Sequence, residues 1–348
     1  MFAFVRRGPI ALLITLCVSA LVLMAMGTTS GSATPSAISA LGVPGYAISV
    51  FAKGTKTYYN PDSVEVVGKY VYVGYQNTTA KDGSDKKSST VVQYTLQGKV
   101  VRTFSVLGHC DGLRYDPYTH VLWATSNEDG NPVLVTINPT TGVITPYQFS
   151  PTPHGGGYDD VAFLNNSAFI AASNPTLNSA GVNVFPAVDQ ITLSNGKAIL
   201  TPVLKGNDTA TDLVTGKKVT LNLTDPDSMS VDLQGNLVQD SQADAELIFL
   251  HSPGTAAQTV TRLSVGTQVD DTLWIPSSKG RLLVVDSSGN TIYSVTRDKG
   301  FTPGTVYTEA PSDSGVASFV GTLDVKTGTI TPVIIGLSSP TGLGFIPA

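Results

Sequence analysis

One short sequence pattern recurs along the chain and constrains its fold more than any other feature. In each copy an aspartate stands just before alternating apolar residues. The aspartates recur at intervals of roughly 40 to 70 residues, a period typical of repeat architectures such as propellers. The copies begin at Pro61, Cys110, Tyr158, Pro226 and Val269, and a decayed copy without the aspartate begins at Pro340.

Between the copies, short strands and turns alternate. The segment VEVVGKYVYVGYQ predicts two strands around Gly68-Lys69, and VVQYTLQGKVVRTFSV predicts two more around Gln97-Gly98. Runs of β-branched and aromatic residues bounded by Gly, Pro, Asn and Asp favour antiparallel strands. The copies therefore predict an all-β fold, a β-propeller of six blades with four antiparallel strands each. A five-bladed ring is the alternative count.

The two ends of the folded region are expected to share a blade. The segment YAISVFAKG near the N-terminus provides one strand, and GLGFIPA at the C-terminus completes the same blade. Such pairing closes the ring and covers a strand edge that would otherwise be exposed. We therefore predict a single propeller domain over residues 42–348.

The beginning of the chain has the composition of a secretory signal. Arg6 and Arg7 precede an apolar run from Pro9 to Gly27, and small residues follow; this order is typical of signal peptides. Residues 1–33 are predicted to be the signal with its cleavage region, and residues 34–41 a linker. The apolar run is also nearly long enough to span a bilayer, so an uncleaved anchor is the alternative. Both alternatives predict an exported domain in the periplasm, at the cell surface or outside the cell.

The charge balance excludes one class of partner. The chain has 21 Lys and Arg against 26 Asp and Glu, a formal net charge of −5. Neither nucleic acid nor an anionic membrane surface is expected as a partner of such a chain. Cys110 is the one cysteine after the signal segment, so we expect a monomer that folds without an internal disulfide.

The motif His154-Gly155-Gly156-Gly157 matches the loop that provides an oxyanion hole in lipases and esterases. Those enzymes also need a G-x-S-x-G nucleophile turn, and this chain has none. We therefore interpret the glycines as a connection into the inner strand of the third blade.

The repeated aspartates are the main candidates for a functional site. If each begins the innermost strand of its blade, their carboxylates occupy equivalent positions around the channel. The structural interpretation is that each accepts backbone N–H groups of the preceding turn. The functional interpretation is an anionic ring that binds a divalent cation, Ca²⁺ first. The ring consists of Asp62, Asp111, Asp159, Asp227 and Asp270, with Asp111, Asp159 and Asp227 preferred.

Two histidines precede aspartates of the ring. His109 and His154 lie just upstream of Asp111 and Asp159. If both loops face the channel, the two imidazoles meet as an acid–base or metal-binding pair. The alternative is that they are unrelated loop residues.

Three segments resemble known propeller families. CDGLRYD and DPDSMSVDLQGNLV are similar to the inner strand of the gluconolactonase (senescence marker protein) family, and RLLVVDSSGNTIYSV resembles the second and third strands of an NHL-type repeat. The resemblance implies a TolB-like six-bladed propeller with a divalent cation in its channel. It implies an aspartate ligand at Asp111 or Asp227, and Asn127 and Asn174 are candidates for amide ligands. Asp62 stands where that family has a glutamate.

Two functions follow from these observations. The preferred one is a non-catalytic scaffold that binds a small molecule or a protein at one face of the propeller. The alternative is a divalent-metal-dependent hydrolase of lactones or small esters, as the resemblance implies. The absence of the first-blade glutamate favours the scaffold, whereas a full ligand set converging on one point of the channel would favour the hydrolase.

Overall fold

The chain folds into short strands joined by turns. The structure, a computed structural model, describes residues 40–312 and 315–348, so the predicted signal and most of the predicted linker lie outside the described residues. No residue in these two ranges is in an α-helix, and no helix there is long and apolar enough to cross a bilayer. The all-β prediction is therefore confirmed. The strands are β1 (Leu41–Gly42), β2 (Tyr46–Lys53), β3 (Pro61–Val67), β4 (Tyr70–Tyr75), β5 (Ser88–Thr95), β6 (Val100–Leu107), β7 (Cys110–Asp116), β8 (Val121–Ser126), β9 (Val133–Ile137), β10 (Ile144–Gln148), β11 (Val161–Leu164), β12 (Ser167–Ala171), β13 (Pro186–Ser194), β14 (Lys197–Lys205), β15 (Thr209–Asp212), β16 (Lys218–Thr220), β17 (Pro226–Val231), β18 (Leu237–Ser241), β19 (Glu246–His251), β20 (Thr259–Ser264), β21 (Thr272–Trp274), β22 (Gly280–Asp286), β23 (Thr291–Arg297), β24 (Val306–Ala310), β25 (Phe319–Asp324), β26 (Thr329–Ile335) and β27 (Pro340–Pro347).

The strands form antiparallel arrays of four. β3 to β6 form the first array as a separate sheet. β7 to β10 and β11 to β14 form two arrays within one eight-stranded sheet, because their outer strands meet at a single parallel pair, Gln148 with Lys197. β17 to β20 form the next array, and the hairpin β15-β16 extends its outer edge. This hairpin accounts for the long interval between the repeats of Asp159 and Asp227.

The last two arrays are interleaved along the chain, which the sequence repeats did not predict. β21 begins one array, but β22 and β23 then pair with β27 and β2 in the other. The chain returns through β24, β25 and β26 to complete the first of the two, with β1 at its edge. Because β2 and β27 lie in the same sheet, the predicted sharing of a blade by the two chain ends is confirmed.

One edge strand of each array lies innermost. β3, β7, β11, β17, β21 and β27 pack against one another in this order, and β27 packs back against β3. Sheets arranged radially around a circuit of inner strands are the architecture of a β-propeller. The repeats are thereby placed at equivalent positions, since each aspartate stands at or just before the start of an inner strand.

The hydrophobic core lies between neighbouring arrays. Val73 and Tyr75 of β4, for example, belong to one apolar cluster with Leu283 and Val285 of β22. The hydroxyl of Tyr75 is hydrogen-bonded to that of Tyr94, 2.6 Å away, so these rings are buried with their polar atoms paired. Because these apolar layers hold the arrays together, the inner strands can present polar side chains to the channel.

Candidate functional site

The repeated aspartates converge on one cavity at the end of the channel where the inner strands begin. The cavity has a volume of about 330 Å³, and we call it the acidic chamber. The inner strand without the aspartate, β27, contributes Thr341 to its wall. The repeat carboxyl groups that line it are Asp62, Asp111, Asp159, Asp227 and Asp270.

Burial raises the pKa of every one of these carboxyl groups. For Asp62, loss of solvation is the main cause and the negative charge of Glu128 adds to it, so its pKa rises from 3.8 to about 8. For the other four, burial again raises the pKa well above its usual range, followed by repulsion from a neighbouring carboxylate. Carboxyl groups crowded in this way bind protons unless a cation offsets their charge.

The repeat aspartates accept hydrogen bonds from side chains and not from the turns before them. Gln76 Nε2 donates to Asp111 Oδ1 at 3.3 Å, and Gln242 Nε2 donates to Asp270 Oδ2 at 3.0 Å. In the described part of the chain, no backbone N–H donates to any of the five carboxyl groups. Asp111 Oδ2 is buried without a hydrogen-bond partner. The interpretation that these aspartates form the preceding turns is therefore wrong.

Side chains from neighbouring loops complete the wall of the acidic chamber. Lys81 and Glu128 form an ion pair there, and Asn174 Nδ2 donates to Asp129 Oδ1 at 3.0 Å. The loop of Lys81 is held against the next array, because Asn131 Nδ2 donates to the carbonyl oxygen of Asp82 at 2.9 Å. The wall thus carries one lysine, one arginine and the three amides of Gln76, Asn174 and Gln242 among many carboxyl groups.

An arginine crosses the channel and separates the acidic chamber from the opposite end. Arg114 Nη2 is 2.6 Å from Asp160 Oδ2 and 3.5 Å from Asp271 Oδ1. It also donates to the carbonyl oxygen of Met229 at 3.2 Å. Asp160 and Asp271 in turn accept backbone N–H bonds from Met229 at 3.0 Å and Leu343 at 2.9 Å. One guanidinium therefore links its own strand to the inner strands of several other arrays.

Beyond Arg114 the channel widens into a second cavity of about 360 Å³, which we call the apolar chamber. Arg114 and Asp271 border both cavities. Glu65 adds a carboxyl group to the apolar chamber, and burial raises its pKa from 4.5 to about 7, although the charge of Arg114 opposes this. The apolar side chains that line the apolar chamber include Tyr115, Phe163, Met229, Trp274 and Phe345.

The two asparagines proposed as ligands have different surroundings. Asn174 lines the acidic chamber. Asn127 is buried in a loop, where its Oδ1 accepts the backbone N–H of His109 at 2.9 Å and its Nδ2 donates to the carbonyl oxygen of Asn131 at 2.9 Å. Both ends of the Asn127 amide are thus occupied by backbone groups, and this side chain does not line the cavity.

The two histidines are not brought together. His109 lies behind Asp111, with Nε2 3.5 Å from Oδ1 of that carboxyl, and its Nδ1 is hydrogen-bonded to the carbonyl oxygen of Thr79 at 2.7 Å. His154 Nε2 donates to the carbonyl oxygen of Gly157 at 2.8 Å. Burial lowers the pKa of both imidazoles. In the described residues no hydrogen bond joins the two imidazoles, and the bond to Gly157 holds His154 within its own loop.

The glycines after His154 are required by close packing. A Cβ on Gly157 would lie 1.9 Å from the carbonyl oxygen of Asn127, and one on Gly156 would lie 2.2 Å from that of Ser173. Neither position has room for a side chain. The motif therefore allows two loops to approach each other beside the acidic chamber, and it leads into β11 as the sequence suggested.

The charged residues of the channel that were not identified from the sequence include two in inner strands, Arg114 and Glu65, and two in loops, Lys81 and Glu128. Arg114 and Glu65 each stand between two apolar residues of an inner strand, and such a charge within a strand next to the axis is the signal that could have found them. Lys81 and Glu128 lie in loops that are distant in sequence, and no local pattern indicates that they meet.

The chemistry of the acidic chamber fits a hard cation, but no metal site is already assembled. Its donors are oxygen atoms of the kind that Ca²⁺ prefers, and one of them, Asp111 Oδ2, has no partner. Within residues 40–312 and 315–348, no three His, Cys, Asp or Glu side chains are grouped so that they could hold a metal ion. Cation binding would therefore have to draw carboxyl groups together.

Comparisons with known proteins give a similar shape at low identity. No family model and no curated protein matches the chain. A protein of unknown function from Bacteroides caccae is 9% identical over 82% of this chain and 86% of its own, with a TM-score of 0.48. The periplasmic gluconolactonase of Pseudomonas aeruginosa is 12% identical over 82% and 88%, with a TM-score of 0.42. Virginiamycin B lyase from Staphylococcus aureus is 12% identical over 76% and 95%, with a TM-score of 0.41. The assignment of the fold rests on the strand pairing of this chain and not on these similarities.

Proposed function

We propose that this chain is an exported six-bladed β-propeller that binds a small ligand in the acidic chamber, with a divalent cation, Ca²⁺ first, as part of what is bound. The convergence of five carboxyl groups from different inner strands on one cavity carries the proposal. The circuit of inner strands from β3 to β27 supports the count of blades, and the composition of residues 1–33 supports export.

The carboxyl groups are better suited to binding a cation than to holding the fold together. Those of the repeats receive no backbone hydrogen bond in the described chain, so no turn depends on them. Their raised pKa values show that ionisation is costly without a counter-charge. A cation in the chamber would provide that counter-charge, with Asp111, Asp159 and Asp227 as its preferred ligands.

Cation binding at such a site has to release protons. The carboxyl groups become ligands only as carboxylates, so protons compete with the cation. We expect the affinity for Ca²⁺ to rise with pH through the range in which Asp62, with a pKa of about 8, loses its proton. A site built from carboxylates with ordinary pKa values would show no such dependence above pH 6.

Thermal unfolding of the folded domain tests the proposal. A ligand at a hundredfold excess over its Kd stabilises the folded state by about 2.7 kcal/mol, so the melting temperature should rise with Ca²⁺ and return with a chelator. Asp227→Asn should reduce that rise, whereas Glu65→Gln, at the other end of the channel, should preserve it. If Ca²⁺, Mg²⁺, Mn²⁺ and Zn²⁺ all leave the melting temperature unchanged, the proposal fails.

Hydrolysis of lactones or small esters is the second candidate function. The position of Asn174 favours it, because an amide shares the acidic chamber with Asp111 and Asp227, as the resemblance to gluconolactonases implies. A bound cation would polarise the carbonyl group of such a substrate. Hydrolysis of glucono-1,5-lactone should be measured with and without Ca²⁺, in the wild type and in Asn174→Ala. Cation binding without any hydrolysis would reject the enzyme and retain the binding protein.

A further inference from the structure

We propose that the apolar chamber is a second, independent binding site, and that it binds a small organic cation in which a protonated amine is attached to an aromatic or aliphatic body. The site lies at the opposite end of the channel from the acidic chamber and does not depend on the function proposed there.

The walls of the apolar chamber suit the body of such a ligand. They consist of side chains from the later part of the inner strands, among them the aromatic rings of Tyr115, Phe163, Trp274 and Phe345. The volume of about 360 Å³ lies in the range of small-molecule sites, which combine mostly apolar walls with a few polar groups that orient the ligand. Aromatic walls also attract organic cations through their ring faces.

The floor of the chamber has an excess of negative charge. Arg114 is the one basic residue among the described residues that line it. Its guanidinium is shared between Asp160 and Asp271, at 2.6 and 3.5 Å. Glu65 is a third carboxyl group in this group of charges, and it has no basic partner of its own within the salt-bridge distances of the described chain. A ligand with a positive charge would neutralise this excess negative charge.

The same charges disfavour the other classes of small ligand. An anion would have to compete with two carboxylates for Arg114, and it would meet Glu65 at the floor as a like charge. A neutral apolar ligand would cover Glu65 without offering it a partner, which costs free energy when a carboxyl group is buried. A protonated amine avoids both penalties, because it donates charge-assisted hydrogen bonds to Glu65.

Arg114 keeps the two sites apart. Its side chain and Asp271 border both cavities, so the layer they form lies between Glu65 on one side and the repeat aspartates on the other. A ligand in the apolar chamber therefore meets Glu65, whereas a cation in the acidic chamber meets Asp111, Asp159 and Asp227. A substitution at one end of the channel can therefore serve as the control for ligand binding at the other end.

Binding of three probes that share one ring and differ in charge tests the inference. We would titrate 2-phenylethylamine, 2-phenylethanol and 3-phenylpropionate into the folded domain by calorimetry or ligand-observed NMR at pH 8. The amine should bind about tenfold more tightly than the alcohol, which corresponds to about 1.4 kcal/mol, and the propionate should not bind. Glu65→Gln should weaken the amine about tenfold and leave the alcohol unchanged.

Two further variants make each outcome decisive. Asp227→Asn should change neither probe, and Val66→Phe, which narrows the apolar chamber, should weaken both the amine and the alcohol. The inference is overturned if the amine and the alcohol bind alike, if none of the probes binds, or if the amine is lost in Asp227→Asn and kept in Glu65→Gln. The last result would place the amine in the acidic chamber instead.

Discussion

The two ends of the channel are built from the same inner strands and yet present opposite chemistry. In β11 and the residues before it, Asp159 and Asp160 line one cavity, and Val161 and Phe163, a few residues later, line the other. The change occurs at the level of Arg114, whose guanidinium is paired with carboxylates of two other arrays. A single layer of buried charge thus allows one set of strands to form both an acidic and an apolar cavity.

The difference between the ends is also a difference in how carboxyl groups are held. Asp160 and Asp271, next to Arg114, accept backbone N–H bonds from neighbouring inner strands. The repeat aspartates of the acidic chamber receive only side-chain hydrogen bonds or none. The former carboxyl groups therefore contribute to the fold, and the latter are available to a ligand.

The largest expected effect comes from removing the layer between the chambers. Arg114→Met leaves Asp160 and Asp271 buried without their cation, and breaking a buried ion pair in this way costs about 3 to 5 kcal/mol. Urea denaturation should show this loss in the free energy of unfolding. Arg262→Met is the matched control, because Arg262 pairs with Asp212 and Glu246 near the surface and should cost far less. Equal losses in the two variants would contradict the role given to Arg114.

A smaller effect is expected at the acidic end as the pH changes. The folded-state pKa of Asp62 is raised from 3.8 to about 8, so the stability associated with its proton is present below pH 4 and is lost as the pH rises to 8. In Asp62→Asn this loss is absent. In the absence of divalent cations, the variant should match the wild type at pH 4 and exceed it in stability above pH 8. The full pKa shift corresponds to about 6 kcal/mol, and because Asp62 is only partly buried, solvent screening should reduce the measured difference to roughly 2 to 3 kcal/mol. A constant difference across this range would show that Asp62 does not titrate as described.

The smallest effect is expected at the apolar end. The pKa of Glu65 is raised from 4.5 to about 7, so the wild type loses stability from pH 4.5 upward and the loss is complete near pH 7. The full shift corresponds to about 3 kcal/mol, and because Glu65 is only partly buried, solvent screening should reduce the gain of Glu65→Gln over the wild type to roughly 1 kcal/mol. The gain should level off about one pH unit below that of Asp62→Asn. Thermal or urea unfolding at a series of pH values measures the stability gain of each variant over the wild type. If the stability gains of the two variants level off at the same pH, the carboxyl groups of the two chambers do not differ in pKa as described.

The sequence predicted the parts of the fold that local patterns determine. The strand pairs around Gly68 and Gln97, and the placement of the repeat aspartates beside one cavity, follow from alternation of apolar residues and from the period of the repeats. The interleaving of the last arrays could not be predicted in this way. The local sequence predicts that β22 and β23 form a hairpin, but it does not indicate which array contains that hairpin. The rest of the pairing of β22 is set by long-range contact with β27.

The candidate site was predicted as far as its residues belong to the repeat. Arg114 was missed because its partners come from arrays far along the chain, and only the closed circuit brings them within reach. Asn127 was proposed as an amide ligand from the family resemblance, and His154 because it stands just before a repeat aspartate. In the structure the loop backbone takes up their polar atoms, and a position in sequence does not reveal how a loop satisfies its own carbonyl and N–H groups.

The interleaving of the last two arrays imposes an order on biosynthesis. Each of the arrays from β3 to β20 is encoded by a nearly contiguous stretch, and it can form soon after it leaves the ribosome. β2 emerges before all of them but pairs only with β23, so at about 5 to 20 residues per second it waits roughly ten to fifty seconds for its partner. The array of β2, β22 and β23 is complete only once β27 has been synthesised. Closure of the ring therefore waits for the synthesis of β27, and a nascent chain that has not reached this strand has its circuit open.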